Sequence, residues 1–247
     1  MSPSVVVHAR WDDADRFGHV NNAAYLALIR EATDRTLASG HELAEIDIEF
    51  KQPVPPQADV DVSVEPDAST ALAVRYRLSI GDRLHATASA RWRTAAGPAP
   101  ALPPVVRDPG GGAFSWTHTV RSYEVAPDGA LRPTSALQWF EYAVYRAAER
   151  VGWTPTRMLR SDFVTLQIGH HLVLGPHPEV GEHLDVISRI VEMRRVSGMW
   201  HHEATRSDGT LIAADRSRGA FLDVAGNVRR PPEDMIAALL RGEAEAG

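Results

Sequence analysis

The densest run of chemically capable residues in the chain is Asp12-Asp13-Ala14-Asp15-Arg16-Phe17-Gly18-His19-Val20-Asn21-Asn22. An apolar-periodic stretch follows at once, so the cluster stands at the start of an expected helix. A helix start leaves backbone N–H groups unpaired and carries the positive end of the macrodipole, so it can hold a developing oxyanion. A carboxylate such as Asp15 beside it can act as base or nucleophile on an electrophile polarised there. His19 adds an imidazole, and Asn21 or Asn22 can cap the helix or orient a water. These parts suit attack on a carbonyl, above all an activated acyl group. The same residue types also serve capping and tight turns. At this point both uses stay open.

The elements that must position the cluster repeat along the chain. A strand-like opening at 5–11 precedes the loop. A helix over 22–39 carries the stripe Tyr25, Leu28, Ile29, Ala32 and Leu37, with Gly40 as its stop. Period-two segments at 45–50, 59–64, 72–80 and 84–92 read as antiparallel strands. Residues 95–113 then hold five prolines and four glycines in 19 positions, a linker composition. Beyond it the order recurs. An opening at 117–123 leads to a loop at 124–129 and a helix over 134–151 striped by Leu137, Phe140, Val144, Ala147 and Val151. Strands follow at 164–174, 183–191, 197–205 and 211–222, and the tail at 231–240 reads as a short amphipathic helix. At an offset of 111, Arg10 lies over Arg121, Asp13 over Glu124 and Gly18 over Gly129. The expected fold is α+β: two copies of one unit, a long helix packed on a curved antiparallel sheet, docked as a pseudo-dimer. The expected boundaries are 1–95, a linker at 96–113, and 114–247.

The second copy serves as a control on the first. Where the first loop has Asp15, His19 and Asn21, the second has Ala126, Ala130 and Arg132. A cluster needed only to build the turn should recur in both, so the asymmetry favours chemistry in the first copy alone.

Composition narrows the field further. With 247 residues, 26 basic against 32 acidic, the net charge of −6 argues against a broad nucleic-acid surface. The chain has no cysteine, which removes thiolate nucleophiles and thiolate metal sites. No stretch approaches a membrane span, and the opening residues lack a signal-peptide core, so a soluble cytoplasmic protein is expected. His170-His171, His177, His183 and His201-His202-Glu203 lack the spacing that gathers metal ligands, since adjacent histidines on a strand face opposite ways. Arg189, Arg194 and Arg195 form a basic run that reads first as a solvated strand edge, with phosphates or an acidic carrier as its functional use.

The run from Trp11 to Tyr25, with Glu31 further along the helix, resembles the signature of hotdog-fold acyl thioesterases. These are the 4-hydroxybenzoyl-CoA thioesterase type and its relatives acting on acyl-carrier protein. The second opening, Val120-Arg-Ser-Tyr-Glu-Val125, and the helix segment Leu137-Gln-Trp-Phe-Glu-Tyr-Ala143 resemble the non-catalytic half of plant-type acyl-carrier-protein thioesterases, in reversed order. The resemblance implies that Asp15 is the catalytic carboxylate, with His19 and Asn21 as polar partners. It also implies that the Asn22 N–H is the oxyanion donor, with Gly18 and Tyr25 in the same motif. Phe17 departs from the carrier-protein branch, where an asparagine stands. An acyl chain at the interface would be walled partly by Trp139, Phe140 and Tyr142 of the second helix, residues that core packing would equally explain.

The expected function is hydrolysis of an acyl-CoA or acyl-ACP thioester, for which fatty acid metabolism is the setting. No cofactor is expected beyond coenzyme A or phosphopantetheine as part of the substrate. The expected partners are acyl-CoA or acyl-carrier protein, without nucleic acid or membrane, and further homo-oligomerisation is left open. The rivals are a hotdog hydratase or dehydratase, whose expected motif is missing since His171-x-x-x-Gly175 lies inside a strand reading and lacks the correctly spaced proline, and a non-catalytic acyl-CoA-binding protein.

Overall fold

The structure is a computed structural model that describes residues 3–15, 18–37, 40–67, 72–103 and 111–242. The first copy consists of β1 (Ser4–His8), α1 (Asn22–Thr36), β2 (Glu42–Phe50), β3 (Asp59–Pro66), β4 (Ala73–Ile80) and β5 (Arg83–Arg93). The second consists of β6 (Ala113–Thr119), α2 (Pro133–Arg150), α3 (Pro155–Arg160), β7 (Val164–Leu174), β8 (His183–Met193), β9 (Ser197–Thr205), β10 (Leu211–Leu222) and α4 (Glu233–Arg241). The period-two segments match β2–β5 and β7–β10 to within three residues, whereas the opening read at 117–123 lies earlier, at Ala113–Thr119. The short α3 was not foreseen. It begins at Thr154, whose hydroxyl accepts from the Arg157 N–H, with a proline next in the chain. Of the Pro/Gly stretch, residues 104–110 lie outside the described residues, as do Arg16 and Phe17.

All ten strands form one antiparallel sheet, in the order β1-β3-β4-β5-β2-β7-β10-β9-β8-β6. Read inward from either end, the two halves have the same topology, opening strand first and post-helix strand last. They meet where β2 pairs with β7, Glu45 opposite Val173 through Glu49 opposite Gly169. Both helices cover the same face of this sheet and touch each other. That double contact explains why the buried face of each helix is broader than its predicted stripe. Ala23, Ala24 and Leu26 join Tyr25, Leu28, Ile29 and Ala32 in α1, and Ser135, Ala136, Trp139, Ala143 and Ala148 are buried in α2.

The repeat holds down to single hydrogen bonds. A short 3-10 turn begins after Arg10, whose N–H donates to Asp13 Oδ2 at 2.9 Å. After Arg121 the same turn forms, with its N–H donating to Glu124 Oε2 at 2.8 Å. Isolated bridges Ala14–Val20 and Val125–Leu131 close the two loops. Gly18 and Gly129 take the same left-handed conformation, φ 77° and 86°, at which a side chain would be strained.

Glu124 anchors the second copy. Its carboxylate also accepts the Trp139 indole N–H at 2.9 Å and lies 2.9 Å from His118 Nε2. Burial alone would raise its pKa, but these donors outweigh it and hold the carboxyl below the ordinary 4.5. A depressed carboxylate contributes stability above its unfolded pKa and loses it as pH falls through the folded one. Glu124→Gln should therefore cost about 1–3 kcal/mol at pH 7. The gap from wild type should close as pH is lowered below the ordinary carboxylate range, as urea denaturation at a series of pH values would show.

Candidate active site

The loop before α1 is built from the backbone outward. The Asp15 N–H donates to the His19 carbonyl at 2.7 Å, Gly18 N–H to the Asp15 carbonyl at 3.1 Å, and Asn21 N–H to the Asp13 carbonyl at 2.7 Å. The second loop makes the same bonds with other side chains: Ala126 to Ala130 at 2.8 Å, Gly129 to Ala126 at 2.9 Å, and Arg132 to Glu124 at 2.9 Å. Asp15, His19 and Asn21 are thus not needed for the turn.

Asn21 caps α1, its Oδ1 accepting the Ala23 N–H at 2.9 Å while its carbonyl accepts from Ala24 at 2.9 Å. Neither bond uses the Asn22 N–H. Asp15 is half-buried, and its Oδ1 accepts the His19 N–H at 3.1 Å. His19 and Gly18 are exposed at the loop's rim. Tyr25, one turn into the helix, is buried. Its hydroxyl accepts the Val54 N–H at 2.9 Å, and burial pushes its pKa up to about 12, with the Asp15 charge nearby adding to the rise. Tyr25 packs edge-on against Phe50, and Phe50 edge-on against His170. The helix start, the Asp15 loop and the centre of the sheet therefore form one continuous neighbourhood. Glu31 lies outside it, exposed and paired with Arg35.

Of the three α2 candidates, Trp139 and Phe140 are buried and Tyr142 is exposed. Trp139 turns into its own half, its ring tilted against His118 and its indole N–H bonded to Glu124. Phe140 is fully buried and stacks on His202. Tyr142 is 59% exposed, with Arg146 over its ring. The helical phase supplies the reason, since Glu141, Val144, Tyr145 and Ala148, at i, i+3, i+4 and i+7, share the remaining face. Val144, Tyr145 and Ala148 line a narrow apolar cavity of about 40 Å³, closed by Met158, Met193, Met235 and Leu239 among others.

Glu141 is the residue that sequence reasoning missed. Its carboxyl meets the side chains of Asn21 and Asn22 at the α1 start, and one oxygen lies 3.9 Å from His170 Nε2. His170 Nδ1 is 2.9 Å from Asp215 Oδ2, and both residues are fully buried. Next to them His202 sits between Ser188 Oγ at 2.6 Å and Ser217 Oγ at 3.0 Å, kept neutral by burial. One signal was available. Glu141 falls in phase with Leu137, Val144 and Ala148, a carboxylate inside an apolar stripe. Arg189 is half-buried, whereas Arg194 and Arg195 sit in the exposed β8–β9 turn, Arg194 paired with Glu192. Among the described residues, no group of three or more His, Asp or Glu is arranged to hold a metal ion.

Residues 3–94 match the family model of the acyl-ACP thioesterase C-terminal domain. An oleoyl thioesterase from Lactobacillus plantarum superposes with a TM-score of 0.67 at 12% identity, over 89% of this chain and 96% of that one. The chain has the tandem hotdog fold of the thioesterases. An acyl-ACP thioesterase from Bacteroides thetaiotaomicron gives 0.60 at 12% identity, over 89% and 97%. The tesB protein of Mycobacterium avium subsp. paratuberculosis gives 0.61 at 16%, over 88% and 92%. No curated protein matches the sequence. No helix among the described residues is long and apolar enough to cross a membrane.

Within this hotdog pair, Tyr25→Phe should leave the buried Val54 N–H without its acceptor. A loss of about 1–3 kcal/mol is expected in chemical denaturation, with the far-ultraviolet circular dichroism unchanged.

Proposed function

We propose that this protein hydrolyses an acyl thioester of coenzyme A or acyl-carrier protein to a free acid and a thiol. One observation carries the reading: the two pre-helix loops share one backbone, but only the first carries Asp15, His19 and Asn21. The match of residues 3–94 to an acyl-ACP thioesterase domain supports it from sequence. In this reading residues 1–95 bring the chemistry and residues 114–247 wall the substrate.

Asp15 takes a proton from water as the water oxygen attacks the thioester carbonyl. The carbonyl pair moves onto oxygen, where the Asn22 N–H and the positive end of α1 receive the charge. When that pair returns, the C–S bond breaks and the Asp15 proton passes to sulfur. A nucleophilic Asp15, acting through a mixed anhydride, would use the same placement. His19 and Asn21 hold the carbonyl or the water. The reaction so written uses a carboxylate, a helix start and water, with the pantetheine arm entering as part of the substrate.

Thiol release from a panel of acyl-CoA and acyl-carrier-protein substrates tests this. Asp15→Asn should lower kcat/KM roughly 10²–10⁴-fold, the usual contribution of a positioned base. Unchanged release in the mutant would remove Asp15 from the mechanism. If no substrate released thiol, the hydratase or binding-protein reading would take its place.

The acyl chain is assigned to the cavity beneath α2, one helical turn beyond Glu141. The cavity is narrow, about 40 Å³, so a long chain entering it would displace its methionine walls. Val144→Phe should shorten the longest chain accepted and Leu239→Ala should lengthen it, read as a shift in the kcat/KM profile across saturated chain lengths.

A further inference from the structure

The helix-facing side of the sheet differs sharply between the two halves. Beneath α1 it is Ile46, Ile48, Val60, Val62, Val64, Leu78 and alanines, all buried. Its main polar group there is the Tyr76 hydroxyl, bonded to Thr33 and Trp92. Beneath α2 the same surface carries His170, Asp215, His202, Ser188 and Ser217, each at most 1% exposed. A buried ionisable network lowers stability unless it is satisfied, and clusters of this kind mark functional sites. This one is not fully satisfied, since His170 Nε2 and Asp215 Oδ1 are buried without a hydrogen-bond partner. The free Nε2 points at Glu141, and Glu141 touches Asn21 and Asn22. The polar core of the second half therefore ends at the helix start of the first.

We propose that Glu141 is a catalytic residue supplied by the second half. Its carboxylic acid donates a hydrogen bond to the thioester carbonyl oxygen at the α1 start, beside the Asn22 N–H, and His170 and Asp215 position it. The proposal rests on the thioesterase reading for the reaction, though not for the contact itself. Burial favours the neutral acid, which alone has a proton to donate, and raises the Glu141 pKa against the opposing pull of His170 and of the Asn22 and Asn21 side chains. A carboxylic acid kept neutral in an apolar site can serve as an oxyanion donor. Proton balance is untouched: water's proton goes to Asp15 and on to sulfur, and Glu141 keeps its own. Asp15 on the first loop and Glu141 on the facing helix, both half-buried, would then flank the carbonyl in opposite roles.

Two readouts test this. In the thiol-release assay Glu141→Leu should lower kcat roughly 10²–10³-fold, the cost of losing one oxyanion donor, with little change in KM. Glu141→Gln retains an N–H donor and should recover to within about tenfold of wild type. The second readout needs no turnover. A ketone analogue of acyl-CoA, with methylene replacing sulfur and carbon-13 at the carbonyl, is bound at the chain length that calorimetry shows tightest. Its infrared carbonyl stretch should move to lower frequency in wild type and in Asp15→Asn, and return toward the solution value in Glu141→Leu. Wild-type kcat in a folded Glu141→Leu, or a stretch the same with and without Glu141, would overturn the proposal. If Glu141→Leu did not fold, Glu141→Gln would decide alone: an intermediate stretch supports the contact and an unchanged one overturns it. A wild type that shifted the stretch but released no thiol would refute hydrolysis while leaving the Glu141 contact standing. One that did neither would refute both.

Discussion

The pairing of β2 with β7 is the contact on which the rest of the molecule depends. Each half has one strand, the one after its helix, left at the inner edge of its own five. An open edge exposes a row of unpaired N–H and C=O groups, and the antiparallel match of Glu45–Glu49 with Gly169–Val173 satisfies both rows at once. That join makes one sheet of ten strands and brings two helices together on one face. Without it, α1 would start in solvent and Glu141 would be a surface residue. The site is therefore a product of the join as much as of either half.

Apart from the short α3, the element order, the duplication and the polar cluster were legible in the sequence. Their signals are local: period-two runs, apolar stripes, a Pro/Gly stretch, and the matched Arg10 and Arg121 turns. The offset of 111 could be checked residue by residue, and it reappears in both turns and both bridges. What could not be read was which polar residues lie across the join. Glu141 stands out as a carboxylate in phase with Leu137, Val144 and Ala148, but what it faces is fixed only when α1 is laid against α2. His170 and Asp215 sit on strands whose pairing to each other spans 45 positions of sequence. For the α2 aromatics the resemblance offered a binding wall and core packing the alternative; Trp139 bonds to Glu124 and Phe140 lies in the core beside His202.

The two halves have diverged in opposite directions. The first keeps polar groups in its loop and a nearly apolar sheet. The second has lost the polar loop but holds a histidine, aspartate and serine network under its helix. Both Asp15 and Glu141 are half-buried, but Asp15 sits in loop backbone whereas Glu141 faces His170 and the asparagines of the α1 start.

Position 141 also shows what joining two copies in one chain permits. At the repeat offset its counterpart is Arg30, which donates to Asp34 at 2.7 Å and to the His41 carbonyl at 3.1 Å. A symmetric dimer of separate chains must place the same amino acid at both locations. It would set two glutamates or two arginines about its axis, never one of each. Covalent tethering removes that restriction, so one copy can acquire an acid aimed inward while the other keeps a cation that braces its own helix. The Pro/Gly stretch between the halves is thus what lets a twofold scaffold carry a one-sided arrangement of charge.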